Sequence, residues 1–463
     1  MNKKDILPYH LFEYNGSYCL INVEKIQATL VDKATSKTLE KLAGESEPDF
    51  TMDMQKILMN LGLVSDNTTR EINGSAKKSY SISNIALLLT QSCNLKCIYC
   101  YGDGGEYGMM GSMEEKTALR AVDWLIEQSG SVKKLNITFF GGEPFLNFSL
   151  MKRVVNYAKE ITATLNKTIA FNVTTNATLL DDEKISFIKE HNINIVISID
   201  GPKEIQDKQR PFVSSQGSYD IILPKIKRLL KVMPHTRAHA VLFDDSKTHI
   251  IKNSLQEIGF SEVSIIPAST SLFDERSDKT RQARKLHGVL NELENEAENL
   301  IKYIKTRDNA TLKKVIQSSQ LSQCMLSFLH KTKKLHACGA GLKYAAVSCS
   351  GDVYLCHRFV GMDKYKLGSI FSSDINKESY QHPQINEMEK CKNCFAKYYC
   401  AGGCRHDNAS SCISEYKPSE DMCLMKCREV ELAAAIISRL DKEDHDFLYE
   451  YEIFPPKPCP LDF

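Results

Sequence analysis

The sequence lacks the features that direct a protein into a membrane or onto nucleic acid. Its longest apolar runs, IALLL (85–89) and ELAAAII (431–437), fall well short of the about 20 residues that span a bilayer. The opening segment, MNKKDILPYHLFEYNG, has no apolar stretch of signal-peptide length. A formal net charge of +1 gives no global field that favours nucleic acid or an anionic membrane. These absences predict a cytoplasmic protein with no nucleic-acid partner and no membrane partner.

Cysteine, in contrast, is abundant, with 16 among 463 residues. In a reducing compartment this number favours metal binding or catalysis over disulfides. Hydrophobic residues make up 42% and charged residues 25% of the sequence, which is typical of a globular protein. The length predicts roughly two to four domains.

The first 78 residues predict a small domain. Two apolar-rich runs in YHLFEYNGSYCLIN (9–22) flank Asn15-Gly16, a strong short-range signal for a hairpin. Residues 36–65 then predict two short helices. The polar stretch SDNTTREINGSAKKS (65–79) is typical of an exit linker.

Residues 79–275 alternate predicted strands with amphipathic helices, such as those over 114–128 and 151–165. The alternation predicts βα units and a parallel sheet, hence an α/β fold. Six units, rather than the eight of a closed barrel, predict a partial (β/α)6 TIM barrel. The predicted strands are 85–90, 135–140, 169–175, 193–200, 236–243 and 263–268.

The last two regions differ in composition. Residues 276–335 are charged and predict a helical insert, as in LNELENEAENLIKYIK. Cysteine density rises sharply within 336–463, which ends in a predicted helix (424–440) and a Pro-rich tail. We expect 336–463 to form a separate metal-binding domain.

The segment CNLKCIYCYG (93–102) carries three cysteines, Cys93, Cys97 and Cys100, directly after the first predicted strand. Three thiols cannot all pair as disulfides, and the downstream paired histidines of a simple zinc finger are lacking. Three thiolates in one loop match a [4Fe–4S] cluster with one iron left open. The alternative is a zinc site completed by a distant residue.

This segment resembles the CxxxCx(aromatic)C motif of the radical S-adenosylmethionine (SAM) superfamily, with Tyr99 in the aromatic slot. Further motifs of that family follow at the ends of successive predicted strands: GGEP (141–144), a TN segment and ISIDG (197–201). Active sites of barrel enzymes gather at these strand ends. The positions that the resemblance implies in SAM binding are Tyr99, Gly141, Gly142, Glu143, Pro144, Thr175, Asn176, Ser198, Asp200 and Arg210.

The resemblance also implies cofactors and a mechanism. The open iron of the cluster would chelate SAM, with Glu143 near the SAM amino group, Ser198 near the ribose and Arg210 near the carboxylate. An electron, supplied by a reductant such as flavodoxin or ferredoxin, would then release a 5′-deoxyadenosyl radical from SAM. The catalytic residues would be Cys93, Cys97 and Cys100.

The cysteine array after residue 336 resembles the SPASM extension of the same superfamily. Twelve residues separate Cys338 from Gly351, four separate Gly351 from Cys356, and CKNCFAKYYCAGGC (391–404) reads CxxCx5Cx3C. This resemblance implies two auxiliary [4Fe–4S] clusters. The distal cluster would take Cys391, Cys394, Cys400 and Cys423, and the proximal cluster Cys338, Cys356 and Cys404.

The fourth ligand of the proximal cluster stays open between Cys349, Cys412, a substrate thiolate and a vacant iron. VSCSGDVYLC (347–356) predicts a hairpin that places Cys349 on the order of 10 Å from Cys356, which disfavours Cys349. The other cysteines are interpreted as plain buried or free thiols: Cys19, Cys324, Cys427 and Cys459.

SPASM enzymes act mostly on peptides or proteins. The first 78 residues resemble the winged-helix-like leader-recognition domain of enzymes that mature ribosomally made peptides, which implies a precursor peptide with a leader as partner. His357 stands where sulfatase-maturing relatives carry an aspartate base, and its context CHRFVG resembles thioether-forming maturases of the six-cysteine-peptide (ranthipeptide) and quinohemoprotein types. His357 could equally serve packing.

The resemblance therefore implies a maturase that joins a peptide cysteine sulfur to a carbon of an acceptor residue. The alternatives are a carbon–carbon or ether cross-link in the peptide and, less favoured, formylglycine formation. An electron-transfer module without chemistry would need no SAM pocket, and an RNA-modifying enzyme would need a basic patch.

Overall fold

The computed structural model describes residues 5–45, 50–65, 81–243, 248–268, 279–372, 375–376, 383–412 and 414–454; the side chains of 279–288, 317–318 and 412 lie outside this description. Nearly all of the predicted linker (65–79) and the Pro-rich tail also lie outside the described residues.

The N-terminal region is a three-stranded antiparallel sheet covered by two helices. Asn15 and Gly16 have φ of 48° and 72°, as a two-residue hairpin turn requires, so the predicted hairpin is confirmed. The third strand was not predicted. Leu20 packs with Leu39 and Leu58 in a small apolar core between sheet and helices. The elements are β1 (Tyr9–Tyr14), β2 (Ser17–Asn22), β3 (Gln27–Val31), α1 (Lys33–Gly44) and α2 (Met52–Asn60).

The six predicted barrel strands are all present and all parallel, so the partial barrel is confirmed. Their spatial order is β10-β9-β8-β7-β6-β4, and the two-residue strand β5 (Gly111–Ser112) pairs with the end of β4. The strands are β4 (Asn84–Gln91), β6 (Lys134–Gly141), β7 (Thr168–Thr175), β8 (Asn194–Ser198), β9 (Arg237–Leu242) and β10 (Glu262–Pro267).

Helices cover the outer face of these strands. In β6, Leu135, Ile137 and Phe139 are buried, whereas the alternate residues are half-buried, because one face meets helices and the other lines the barrel interior. The carboxyl ends of all six strands therefore open on one edge. The helices are α3 (Glu115–Gln128), α4 (Phe148–Thr164), α5 (Asp182–Glu190), α6 (Lys203–Gln209), α7 (Tyr219–Val232) and α8 (Thr248–Ile258).

A seventh parallel strand joins this sheet from the cysteine-rich region. β11 (Tyr344–Val347) pairs in parallel with β4, and the predicted hairpin then returns through Gly351, at φ 87°, into β12 (Asp352–Tyr354). β13 (Lys366–Ser369) completes the antiparallel edge. The sheet thus runs across the predicted domain boundary at residue 336, which the spacing of the motifs did not indicate.

The helical insert and the C-terminal region pack together. Helix α14 lies against α9, α11 and the N-terminal sheet. Among the described residues, no helix is long and apolar enough to cross a bilayer. The helices are α9 (Lys279–Lys305), α10 (Asn309–Ser318), α11 (Ser322–His330), α12 (Lys397–Cys400), α13 (Arg405–Cys412), α14 (Glu420–Ile437) and α15 (Lys442–Glu450).

Candidate active site and cysteine clusters

The loop after β4 brings three thiols together. Backbone bonds from Lys96 N to Pro211 O (2.8 Å) and from Ile98 N to Gln209 O (3.0 Å) fix this loop on the C-terminal end of α6 and the residues after it. Burial raises the pKa of Cys93 to about 12 and that of Cys97 to about 11, and each thiol also senses the charge of the neighbouring thiols, Cys100 included. These buried thiols therefore need a nearby positive charge, such as that of iron, to ionise.

The GGEP segment is fastened to the same loop. Gly142 N donates to Thr90 O and Glu143 N to Ser92 O, both at 3.0 Å. A Cβ on Gly142 would lie 1.9 Å from Ser92 O, and one on Gly141 2.1 Å from Thr90 O. Both positions therefore require glycine, because a side chain would separate the strand end from the cysteine loop.

Glu143 is buried and its carboxylate accepts three hydrogen bonds. The donors are Thr175 Oγ1 (2.8 Å), Asn176 N (2.8 Å) and Phe145 N (3.1 Å). Burial raises the pKa of Glu143 to about 7. Asn176 Nδ2 also lies 3.8 Å from Cys93 Sγ and so links the carboxylate to the thiol group.

Three residues that the sequence predicted separately contact one another in the structure: Tyr99, Asp200 and Arg210. The Tyr99 hydroxyl donates to Asp200, and Arg210 Nε lies 3.0 Å from Asp200 Oδ1. The guanidinium lies over the Tyr99 ring at 5.3 Å and donates to Cys97 Sγ at 3.9 Å. Asp200 is wholly buried. Ser198 ends β8, and Pro144 opens the short 3-10 turn after Glu143.

The four cysteines predicted for the distal cluster converge, since Cys391, Cys394, Cys400 and Cys423 interact electrostatically with one another. A fifth thiol, Cys427, joins them. Its hydrogen bond lowers the pKa of Cys394. The sequence interpretation of Cys427 as a bystander missed this placement, although its position four residues after Cys423 on a helix could have indicated it.

Cys338, Cys356 and Cys404 also converge, because Cys356 interacts with both of the others. Cys349 lies elsewhere. Its thiol donates to Leu88 O (3.2 Å), and its backbone N–H donates to Gln91 Oε1 (3.0 Å), at the end of β4. The structure therefore groups three thiols here without Cys349.

The cysteine sulfurs share a hydrogen-bond pattern. Cys93 Sγ accepts the N–H of Leu95 at 3.4 Å. Backbone N–H groups two residues further along the chain likewise lower the pKa of four other thiols: Arg358 for Cys356, Ala396 for Cys394, Gly402 for Cys400 and His406 for Cys404. N–H donors stabilise a thiolate over a thiol. The donor set therefore fits iron–sulfur clusters, whose thiolate ligands are tuned by such bonds.

A single metal ion fits less well. Within the part of the chain that the structure describes, no three Cys, His, Asp or Glu side chains lie close enough to hold one ion. Four sulfurs bound to one zinc at 2.3 Å would lie only about 3.8 Å apart. In a cluster each thiolate binds a different iron, so wider spacing is expected.

A polar group lies between the loop and the proximal thiols, and of its residues the sequence singled out only His357. Arg358 donates to Cys404 Sγ (3.4 Å), pairs with Asp407 (2.8 Å) and lies 4.9 Å from the Tyr101 ring. His357 Nδ1 lies 2.6 Å from the Tyr344 hydroxyl, and burial lowers the pKa of His357 to about 3, so its ring is neutral. Only tertiary contacts bring these residues together.

The N-terminal region docks on the distal cysteine segment. The His10 ring stacks on Phe395 at 3.6 Å, next to Cys394. Glu24 pairs with Lys397 (3.0 Å) and Lys333 (2.7 Å). The first sheet and the distal thiols therefore form one packed unit.

Comparisons with known proteins agree with this geometry. The family model "Radical SAM superfamily" matches residues 87–252, and the model "Iron-sulfur cluster-binding domain" (SPASM) matches residues 338–395. The chain therefore contains a radical SAM domain and a SPASM domain. Such a protein binds a [4Fe–4S] cluster and SAM in the first domain and auxiliary iron–sulfur clusters in the second.

A curated relative of this radical SAM/SPASM protein is a cysteine-type anaerobic sulfatase-maturating enzyme of Clostridium novyi. It is 26% identical over 351 residues, which are 71% of this chain and 88% of the relative. Two solved structures share the fold. Native anSMEcpe with bound AdoMet and Cp18Cys peptide matches with a TM-score of 0.61 and 19% identity, over 81% of this chain and 100% of that one. Streptococcus suis SuiB bound to precursor peptide SuiA matches with 0.50 and 16%, over 91% and 99%.

Proposed function

We propose that this radical SAM/SPASM protein installs thioether cross-links in a ribosomally synthesised precursor peptide. The observation that carries the proposal is the group of three thiols, Cys338, Cys356 and Cys404. A cluster on three protein thiolates keeps one iron for another ligand, and the thiolate of a substrate cysteine is such a ligand. The position of Cys349 at the end of β4 removes it as the fourth ligand. Cys412, whose side chain lies outside the described residues, is the other protein candidate, and in this proposal the substrate thiolate takes that position instead.

When bound, the cofactors would supply a carbon-centred radical that removes one hydrogen atom from an acceptor carbon of the peptide; as the C–S bond forms, the thiol proton would leave and an auxiliary cluster would accept the surplus electron. The residues of the chain would bind the cofactors and exclude water from the site. In this proposal Glu143 receives the SAM amino group, and Cys93, Cys97 and Cys100 hold the cluster. Arg210 pairs with Asp200 and donates to Cys97 Sγ. We therefore assign it two roles: it stabilises the Cys97 sulfur and it binds the SAM carboxylate.

The neutral His357 has Nδ1 fixed by Tyr344, and its ring lies 4.5 Å from that of Phe140, a residue of the inward-facing side of β6. It therefore faces the barrel rather than solvent. We assign it to shaping the space between the barrel and the proximal thiols.

The N-terminal sheet is proposed to bind the leader by strand addition at an open edge. β3 is an edge strand, and its Leu30 is exposed. The alignment with SuiB, a protein whose structure contains a precursor peptide, covers 91% of this chain, against 81% for the peptide-bound anSMEcpe. Flavodoxin or ferredoxin is the proposed reductant.

Mass spectrometry of a co-expressed short cysteine-rich peptide, encoded next to this protein, tests the proposal. We expect a loss of two hydrogens per bridge and one fewer thiol reacting with an alkylating reagent after reduction. The same peptide expressed with the Cys93→Ala, Cys97→Ala, Cys100→Ala protein should stay unmodified. A hydrogen loss with an unchanged thiol count would overturn thioether formation and indicate a carbon–carbon or ether bond.

The second candidate is formylglycine formation, which the sulfatase-maturating relative of Clostridium novyi favours. It predicts a peptide that loses its sulfur and gains an aldehyde. Labelling the product with a hydrazide separates the two candidates, because a thioether carries no aldehyde.

A further inference from the structure

Two arginines lie over two tyrosines that flank the same cysteine. Tyr99 and Tyr101 stand on either side of Cys100. The guanidinium carbon of Arg210 lies 5.3 Å from the Tyr99 ring centroid, and that of Arg358 lies 4.9 Å from the Tyr101 ring centroid. Both distances are within the range of cation–π contact.

Each arginine also joins a carboxylate to a cysteine sulfur. Arg210 pairs with Asp200 at 3.0 Å and donates to Cys97 Sγ at 3.9 Å. Arg358 repeats the arrangement with its own partners, at 2.8 Å from Asp407 Oδ1 and 3.4 Å from Cys404 Sγ. Two cysteine groups in different domains thus have the same surroundings, although Arg358 lies far from Arg210 in the sequence.

We propose that Arg358 sets the reduction potential of the auxiliary cluster held by Cys404 and, through Tyr101, fixes that cluster's surroundings to the loop that carries Cys100. The inference rests on the proposed assignment of Cys338, Cys356 and Cys404 as cluster ligands. Arginine keeps its charge at any pH of interest. A cation that donates a hydrogen bond to a ligand sulfur stabilises the reduced cluster, which carries one more negative charge, and so raises the potential.

Asp407 acts in the opposite direction. Its carboxylate pairs at 2.8 Å with the same guanidinium that donates to Cys404 Sγ, so it offsets the positive charge beside that sulfur and disfavours the reduced cluster. The backbone N–H of the same residue bonds to the sulfur, so the substitution Asp407→Asn removes the charge and keeps this donor. Arg358 and Asp407 therefore offer two changes with opposite expected signs.

Tyr101 connects this pair to the loop. Its ring contacts the wholly buried His406 at 5.8 Å and Tyr107 at 6.2 Å, besides Arg358. Arg358 is thus a positioning residue that touches both the proximal thiols and the residue after Cys100.

The test is a potentiometric titration, followed by electron paramagnetic resonance, of the cluster-loaded full chain. The background carries Cys93→Ala, Cys97→Ala and Cys100→Ala, so only auxiliary clusters contribute. Arg358→Gln should shift one auxiliary potential to more negative values and leave the distal one unchanged. Arg358→Lys should give a smaller shift, and Asp407→Asn a shift to more positive values. Arg307→Gln, which removes an exposed arginine paired with Asp444, is the control and should change neither.

Measuring the iron content distinguishes a wrong cluster assignment from a wrong role for Arg358. A background protein without auxiliary iron would contradict the proposed cluster assignment rather than the role of Arg358. With iron retained, unchanged potentials in Arg358→Gln would overturn the inference. If Arg358→Gln loses iron, Arg358→Lys and Asp407→Asn decide: shifts of the same sign, or none, overturn it.

Discussion

The loop thiols and the proximal thiols have similar surroundings but are built in different ways. Cys93, Cys97 and Cys100 lie within eight consecutive residues. Cys338, Cys356 and Cys404 come from three separate segments and meet only in the folded chain. The side chains of Arg210 and Asp200 are 8% and 0% exposed, those of Arg358 and Asp407 15% and 25%. The site of the loop thiols (the local site) therefore contains a buried ion pair that solvent does not reach. The site of the proximal thiols (the assembled site) contains an ion pair that solvent still screens.

The largest expected effect is the loss of SAM cleavage when the loop thiols, but not the proximal thiols, are removed. Replacing Cys93, Cys97 and Cys100 together by alanine should abolish SAM cleavage, because no other thiols of the barrel can hold that cluster. Release of 5′-deoxyadenosine under reducing conditions is the measurement. The auxiliary iron should remain. Continued 5′-deoxyadenosine release would contradict the assignment of the loop.

Iron content tests the assembled site. Cys404→Ala should remove about four irons per chain, since one cluster loses a ligand. Cys349→Ala, in the same region, should remove none, because its thiol bonds to the backbone of β4. Equal iron loss in both variants would make Cys349 a ligand and close the vacancy on which the proposed function depends.

Stability should reveal the difference in burial between the two arginine pairs. Arg210→Gln leaves the charge of the wholly buried Asp200 without a cation, although Tyr99 and the backbone of Val241 still donate to it, and should cost about 3–5 kcal/mol. Arg358→Gln leaves the partly exposed Asp407 and should cost about 1 kcal/mol. Denaturant unfolding of the cluster-loaded protein compares them. Adding Asp200→Asn to Arg210→Gln should recover much of the loss, and equal costs for both arginines would contradict the contrast.

The smallest expected effect concerns pH at the loop site. Burial raises the pKa of Glu143 to about 7, so its carboxyl is neutral below that pH and charged above it. If the charged form binds the SAM amino group, affinity for SAM should rise about tenfold from pH 6 to pH 8. Isothermal titration with the cluster-loaded protein measures it. Glu143→Gln should bind weakly with little pH dependence; the same rise in that variant would assign the titration to another group.

The sequence predicted the features that are determined by residues close together in the chain. The six strands of the partial barrel and the gathering of the loop thiols followed from hydrophobic alternation and from motif spacing. The position of Cys349 at a turn followed from the hairpin signal around Gly351.

Other features depend on contacts between distant segments. The four residues of β11 predict only one arm of a hairpin, and their parallel pairing with β4 is decided by the register of residues far apart in the chain. Arg358 and Tyr101 carry no local signal for their contact. The third N-terminal strand, Gln27–Val31, is short and partly polar, so its pattern was weaker than that of the hairpin before it.

The pairing of β11 with β4 has a consequence for the order of events on the ribosome. The hydrogen bond from Asn84 to Lys343 joins residues 259 positions apart. At about 5–20 residues per second, the β11 side of β4 waits on the order of 13–50 s for its partner to be synthesised. During that interval the hydrophobic strand that precedes the cysteine loop has an open edge, so nascent chains need shielding from one another. Cluster insertion into Cys338, Cys356 and Cys404 can only follow.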